Sequence, residues 1–176
     1  MKVLANLLLV LVCVSAVAQE GGKIFVVRHA EKQSEAADSL LSDKGRARAQ
    51  CLAQTLADAH IKTAIVTQYV RTKETAAPLV SVGNAKDVVV QAKATDEVAA
   101  KAKDAAQIGN VLIVGHSNTL PQILASLGVP GIKIPDTAYD QLFVVPVKDP
   151  KNFIIIHYCP SLPSDATPHS PNSMAK

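Results

Sequence analysis

The stretch KIFVVRHAE, residues 23–31, joins a short apolar run to an arginine, a histidine and a glutamate. Its apolar residues do not alternate with polar ones, which predicts a β-strand buried on both faces. Residues 63–66, 87–90 and 111–114 form three further runs of this kind. Short Val- and Ile-rich runs of this type are typical of a parallel sheet covered by helices.

Helical patterns separate these runs and are predicted over residues 42–59, 71–82, 95–107 and 117–127. Ser42 or Asp43 is expected to cap the first helix and Thr95 the third, because short polar side chains accept hydrogen bonds from the free N–H groups of a helix start. Pro78 is expected to kink or shorten the second helix. Gly128 is expected to end the fourth.

The last two apolar runs, 141–147 and 153–157, are separated only by residues 148–152, which predicts an antiparallel hairpin. Strands alternating with helices indicate an α/β fold. We therefore expect a three-layer sandwich, with a mostly parallel sheet, helices on both faces and an antiparallel C-terminal hairpin.

The N-terminus has the pattern of a secretory signal peptide. Lys2 precedes an apolar stretch over residues 4–14, and Ala16-Val17-Ala18 is a small-x-small cleavage signal. We expect cleavage after Ala18, a domain over residues 19–159 and a disordered, proline-rich tail over 160–176. The alternative is an uncleaved anchor, but the apolar stretch is shorter than the roughly 20 residues that a bilayer span needs. A secreted or periplasmic protein without stable membrane insertion is predicted.

Composition limits the partners. The formal net charge is +3, or +2 once Lys2 is removed, which is too weak to indicate binding to nucleic acid. Tryptophan is absent. Cys51 and Cys159 remain after cleavage and match no metal motif. Export permits a disulfide between them, but two buried thiols remain the alternative.

Two predicted strands end in histidine, because residues 23–27 lead into Arg28-His29 and residues 111–114 into Gly115-His116. A third strand leads to Arg71. In an α/β sheet, ligands bind beyond the carboxyl ends of the parallel strands, so these side chains are expected to converge. Each of them alone has an ordinary structural interpretation. Together they suit a phosphoryl group, since guanidinium groups bind phosphate oxygens in pairs and a neutral imidazole is a nucleophile.

Four segments in order resemble motifs of the histidine phosphatase superfamily, which includes the cofactor-dependent phosphoglycerate mutases. They are RHAE at 28–31, LSDKGRARA at 41–49, RTKETA at 71–76 and VGHSN at 114–118. The resemblance implies that His29 becomes phosphorylated, that His116 contacts the transferred group and that Arg28 and Arg71 bind it. It also implies that Glu31, Ser117 and Asn118 contact the substrate. It implies no metal and no organic cofactor.

The chain departs from the family in ways that affect the proton donor and the substrate. Only 44 residues separate Arg71 from His116, which leaves no room for the insertion that shapes the mutases' substrate site. Thr67 stands where the family often has Ser, and Glu74 where it often has Gln. Glu97 is the expected acid, with Asp96 beside it as a candidate, although both also suit the first turn of a helix. Glu31 could instead order the loop after His29.

The expected function is an exported phosphatase that hydrolyses phosphate monoesters through a phosphohistidine intermediate. The substrate would be a phosphorylated small molecule or a phosphoprotein. Three alternatives remain: a phosphatase of phosphohistidine proteins, a phosphoglycerate mutase-like enzyme and a phosphate-binding module without turnover. Export and the missing insertion argue against the mutase.

Overall fold

The computed structural model describes residues 21–162. The predicted signal peptide, residues 1–18, lies outside the described residues, as does most of the predicted tail. Within residues 21–162, no helix is long and apolar enough to span a membrane.

Within the described residues, six strands and four α-helices alternate until the C-terminal hairpin. The strands are β1 (Lys23–Arg28), β2 (Ile61–Thr67), β3 (Lys86–Val90), β4 (Asn110–Gly115), β5 (Gln141–Pro146) and β6 (Ile154–His157). The helices are α1 (Asp43–Thr55), α2 (Val70–Gly83), α3 (Thr95–Ala105) and α4 (Leu120–Ser126). Short 3₁₀ turns occupy Ala57–Ala59 and Pro150–Asn152.

The strands form one sheet in the order β3-β2-β4-β1-β5-β6. Strands β1 to β4 pair in parallel, whereas β5 runs antiparallel to β1 and β6 antiparallel to β5. The predicted sheet and hairpin are therefore confirmed. Because the parallel strands share a direction, the carboxyl ends of β1 and β4 lie side by side.

Both faces of the sheet are covered. Successive residues of β1 point to opposite faces, so that Val26 packs in one apolar cluster and Val27 in the other. Buried residues of α3 and α4 complete the first cluster, and buried residues of α1 and α2 complete the second. This is the predicted three-layer sandwich.

Several local predictions need correction. Strand β3 is not buried on both faces, because it lies at the edge of the sheet and the side chain of Val89 is 54% exposed. Thr95 is the first residue of α3 and not its cap, which is Ala94 without a side-chain hydrogen bond. Helix α2 continues past Pro78 to Gly83, so Pro78 does not shorten it.

The ends of the other two helices also differ from the prediction. Ser42 caps α1 and accepts a hydrogen bond from the amide of Gly45, but α1 ends at Thr55 and its last predicted turn is 3₁₀. Helix α4 begins at Leu120, three residues later than predicted. Gly128 follows it with a φ of +102°, the left-handed conformation that favours glycine at a helix end.

Cys51 on α1 and Cys159 after β6 form a disulfide, with 6.5 Å between their Cα atoms. Of the two interpretations that the sequence allowed, the structure has the disulfide. It joins the C-terminal segment to α1 across a sequence separation of 108 residues.

Candidate active site

The two histidines are neighbours because β1 and β4 are paired. Arg28 lies opposite Gly115 in the register, and the backbone amide of His29 donates to the carbonyl of Gly115 over 2.9 Å. The centroids of the His29 and His116 rings are 5.2 Å apart. Both side chains are buried.

His29 is held through its own backbone neighbour. Its Nδ1 atom lies 2.7 Å from the carbonyl oxygen of Ala30, which can only accept, so Nδ1 carries the proton and Nε2 keeps its lone pair. The amide of Ala30 donates in turn to Thr75 on α2. Burial lowers the pKa of His29 to about 3, and the charges of Arg28 and Arg71 act in the same direction. The ring is therefore neutral near pH 7.

His116 has one ring nitrogen against a threonine and the other near an arginine. Its Nε2 is 3.1 Å from the hydroxyl of Thr67, and its Nδ1 is 3.5 Å from a terminal nitrogen of Arg71. Burial, together with charge repulsion from Arg71 and Arg28, lowers the pKa of His116 to about 4.

Arg28 is anchored by the loop before β5. One terminal nitrogen donates to the carbonyls of Pro135 and Asp136, and the other donates to the Tyr139 hydroxyl over 3.2 Å. The guanidinium carbon lies 4.1 Å from the centroid of the Tyr139 ring. The buried Nε of Arg28 has no hydrogen-bond partner among the described residues.

Arg71 is held in the same manner from the other side. It donates to the carbonyl of Ala37 over 2.7 Å and stacks on the Tyr69 ring at 4.3 Å. Its Nε is also buried and unpartnered within residues 21–162. Burial lowers the pKa of Arg71, although the guanidinium stays charged at neutral pH.

These four residues line one open cavity of about 450 Å³ at the carboxyl ends of β1 and β4. The structure thus brings together the predicted histidines and arginines, together with Ser117 and Asn118. The remaining lining residues are Lys32, Glu35, Tyr69, Ala92, Lys93, Thr119, Asp136 and Tyr139. Among the described residues, no cluster of His, Cys, Asp and Glu could hold a metal ion.

Glu31 is not among the residues that line this cavity, contrary to its predicted substrate contact. Both of its carboxylate oxygens share the Nε–H of the buried Arg48 on α1, and one of them also accepts from a terminal nitrogen of Arg48. The carbonyl of Glu31 also accepts the amide of Ser42. Glu31 therefore ties the loop after His29 to the start and the body of α1, as its alternative interpretation predicted.

Glu97 and Asp96 are not lining residues either. The carboxylate of Glu97 lies 3.6 Å from Lys101, one turn further along α3, and Asp96 accepts a hydrogen bond from Ser126. Both occupy the first turn of α3, where acidic residues interact favourably with the helix dipole. The geometry gives neither the contact that a proton donor to the leaving group needs.

Asp136 and Tyr139 were missed by sequence reasoning. They lie in the loop between α4 and β5, which carries no motif and no periodic pattern. The Asp136 carboxylate is 3.9 Å from Arg28 and accepts a hydrogen bond from Ser117 over 2.6 Å. The one available signal was Tyr139 itself, since the chain has only three tyrosines.

Comparisons with known proteins concern the sequence of the N-terminal half of this domain and the overall fold. The model of the histidine phosphatase superfamily (branch 1) matches residues 24–93. The sequence matches none of the curated proteins. The fold is similar to that of a protein histidine phosphatase, SixA, solved with tungstate: the TM-score is 0.58 and the identity 17%, over 77% of this chain and 95% of that chain.

Two other solved structures share the fold. A phosphoserine phosphatase from Entamoeba histolytica, in complex with 3-phosphoglyceric acid, has a TM-score of 0.55 and 11% identity, over 78% of this chain and 96% of that chain. The mycobacterial glucosyl-3-phosphoglycerate phosphatase Rv2419c has a TM-score of 0.52 and 14% identity, over 70% and 92%. This chain is thus similar to the histidine phosphatase superfamily in the sequence of residues 24–93 and in its fold.

Proposed function

We propose that this protein is an exported phosphatase that hydrolyses phosphate monoesters through a phosphohistidine on His29. The proposal rests on the environment of the Nε2 atom of His29. Nε2 of His29 is unprotonated, because Nδ1 donates to Ala30, and it belongs to a cavity that two arginines also line. A neutral nucleophile beside two fixed cations suits attack on an anionic phosphoryl group.

Hydrolysis of the ester proceeds in two steps. Nε2 of His29 attacks phosphorus and the P–O bond to the leaving group breaks, so the leaving oxygen departs with the electron pair and takes a proton. Water then attacks the phosphohistidine, the P–N bond breaks and inorganic phosphate is released. Arg28 and Arg71 neutralise charge on the phosphoryl oxygens in both steps, and His116 contacts the same group.

A second candidate is dephosphorylation of a phosphohistidine on another protein. It is favoured by the size of the domain, which covers 95% of a protein histidine phosphatase chain. Between Arg71 and His116 the chain builds the rest of α2, then β3, α3 and β4, with no added segment over the cavity. A protruding phosphorylated side chain therefore has access. The same arrangement of elements argues against a mutase, because a mutase must keep a small substrate bound between its two phosphoryl transfers.

Export is supported by two features of the chain. Residues 1–18 have a signal-peptide pattern, and a disulfide such as Cys51–Cys159 persists in an oxidising compartment. N-terminal sequencing of the mature protein tests this part directly. A chain that begins at Gln19 outside the cytoplasm is expected, and a retained Met1 in a cytoplasmic fraction would refute export.

The proposal is tested with nitrophenyl phosphate, a phosphate ester of an alcohol and a phosphohistidine peptide. Wild-type protein should release phosphate, and His29→Ala should lose almost all turnover. His157→Gln is the matched control, because His157 is exposed and does not line the cavity. Binding of phosphate without turnover on any of the three substrates would instead identify a binding module. Turnover of the peptide alone would favour the second candidate.

A further inference from the structure

His116 contacts the hydroxyl of Thr67, which in turn contacts the hydroxyl of Thr72, and the proposed chemistry uses neither. Thr67 is the last residue of β2, and Thr72 lies in the first turn of α2. Both threonines and His116 are buried, and Thr72 is fully inaccessible. The Thr67 hydroxyl is 3.1 Å from Nε2 of His116 and 3.0 Å from the Thr72 hydroxyl.

The backbone decides the direction of these hydrogen bonds. The Thr72 hydroxyl lies 2.8 Å from the carbonyl of Tyr69 and 3.2 Å from that of Thr67, and a carbonyl can only accept. The single proton of Thr72 is therefore committed to the backbone. Thr72 also accepts the amide proton of Thr67 over 3.0 Å. It follows that Thr67 donates its proton to Thr72 and accepts from His116, whose Nε2 must carry a hydrogen.

We infer that Thr67 and Thr72 are positioning residues that hold neutral His116 as the Nε2–H tautomer. Phosphate binding is therefore coupled to the uptake of one proton, which lies between Nδ1 of His116 and a phosphoryl oxygen. The inference rests on the proposed function in taking a phosphoryl group as the ligand of the cavity.

The coupling follows from the donors and acceptors. In this tautomer Nδ1 has a lone pair and no proton, and in the empty site this lone pair accepts from a terminal nitrogen of Arg71 over 3.5 Å. The oxygens of a phosphate dianion also only accept. Two acceptors repel each other at hydrogen-bond distance unless a proton lies between them. In the empty site that proton is absent at neutral pH, since burial and the charges of Arg71 and Arg28 keep the pKa of His116 near 4.

The groups facing His116 do not supply this proton. They are the cationic side chains of Arg71 and Arg28, the neutral ring of His29 and the ring of Tyr69, whose centroid is 5.4 Å away. Further out the cavity is lined by Lys32, Glu35, Lys93, Asp136 and Tyr139. The proton therefore enters with the ligand, either on a phosphate monoanion or from solvent as a dianion binds.

The tautomer is measured first, without reference to activity. Histidine labelled with ¹⁵N gives distinct nitrogen shifts for the two neutral tautomers, and His116→Gln assigns the signal. Wild-type protein near neutral pH should show Nε2–H. Thr67→Ser keeps the hydroxyl and should keep the signature. Thr67→Val keeps the shape without the hydroxyl and should lose it, as should Thr72→Val, which deprives Thr67 of its acceptor.

Proton uptake is measured next, by calorimetric titration with inorganic phosphate in buffers of different ionisation enthalpy. The pH is about 8, at which phosphate is mainly dianionic. Wild type and Thr67→Ser should take up about one proton for each phosphate bound. Thr67→Val should take up far less, because the freed ring can present Nδ1–H to the dianion. Thermal unfolding shows whether each variant is folded, and Thr72→Val replaces Thr67→Val if that variant is not.

A wild-type signal of the Nδ1–H tautomer would overturn the inference, as would phosphate binding without proton uptake. Equal uptake by Thr67→Ser and Thr67→Val would remove the threonines from the coupling. If the wild-type protein shows the expected tautomer and proton uptake but hydrolyses none of the test substrates, the proposed function fails while the positioning role stands.

Discussion

The Nδ1 atom of His29 lies 2.7 Å from the carbonyl oxygen of Ala30, the next residue in the chain. This contact assigns the proton to Nδ1 and the nucleophilic lone pair to Nε2. We therefore predict that labelled substrate, trapped at short times, leaves a phosphoryl group on Nε2 of His29. The label should be lost in acid and stable in base, and ³¹P and ¹⁵N spectra of the trapped protein should identify the nitrogen. Label on Nδ1, or label that persists in His29→Ala, would contradict this assignment.

The arginines should not tolerate lysine, even though the charge is kept. Each has one unpartnered buried Nε beside terminal nitrogens that contact the protein, and an ammonium group cannot satisfy both sets. Loss of a charge-assisted hydrogen bond costs about 1.5–3 kcal/mol, so kcat/KM should fall by about one to two decades in Arg28→Lys and Arg71→Lys.

The matched control for the arginines is Arg46→Lys on α1, since the Arg46 side chain is 55% exposed and pairs with Asp43. Its kcat/KM should stay close to the wild-type value. Near-normal turnover in Arg71→Lys, with unchanged stability, would remove Arg71 from phosphate binding.

Glu97→Gln should leave hydrolysis of both alkyl and nitrophenyl phosphates within about twofold of wild type, because Glu97 pairs with Lys101 and does not line the cavity. Kinetics on the two substrates distinguish a proton donor from a bystander, since nitrophenolate leaves readily without a proton. A selective loss on the alkyl phosphate would show that Glu97 reaches the site in the working enzyme.

Arg48→Met should destabilise the fold by about 3 kcal/mol or more, because it leaves the Glu31 carboxylate without its main partner in a nearly buried position. The Glu31 side chain is 13% exposed. Urea unfolding gives the free energy of unfolding. Arg46→Met is the control and should cost less than about 1 kcal/mol, because its ion pair is solvent-exposed. Equal losses in the two variants would mean that burial of the pair is not what matters.

Acid should destabilise this fold from about pH 6.5 downward. Unfolded histidine titrates near 6.5, whereas the folded pKa values of His29 and His116 are about 3 and about 4. Between these limits the unfolded state binds more protons, so stability is lost as the pH falls through this window. Each histidine contributes up to about 1.4 kcal/mol for each pH unit.

The variant for this test is His29→Asn, which removes one of the two titrating groups. Its free energy of unfolding should fall less steeply with acid than that of the wild type between pH values of about 6.5 and 4. His157→Asn, at an exposed position, is the control. Identical slopes for wild type and His29→Asn would show that His29 titrates normally in the folded state.

Much of the architecture was predictable because it depends on local patterns. Apolar runs without alternation located the strands, and residues 148–152 between the last two runs predicted the hairpin. The exposure of β3 was not predictable in the same way. Val88 and Val89 have the composition of a buried strand, but strand order placed β3 at the edge of the sheet.

The residues of the site also differ in whether the sequence could predict them. His29, His116, Arg28 and Arg71 could be grouped from sequence, since each follows a strand and the carboxyl ends of parallel strands share one edge. Asp136, Tyr139 and the Glu31–Arg48 pair could not, because their contacts join segments far apart in the chain. The position of Glu97 could not be predicted for a related reason: the loop after β3 reaches the cavity with Ala92 and Lys93, but Glu97 lies in the first turn of α3 and pairs with Lys101.

By itself, the sequence determined the sheet, the layer order and which four side chains meet, because apolar periodicity and strand direction are properties of the chain. The tertiary structure alone decided which of two histidine nitrogens is free, whether Cys51 and Cys159 pair, and which loop holds Arg28. These depend on distances of about 3 Å between atoms remote in sequence, and a hydrogen bond weakens steeply when such a distance or its angle changes.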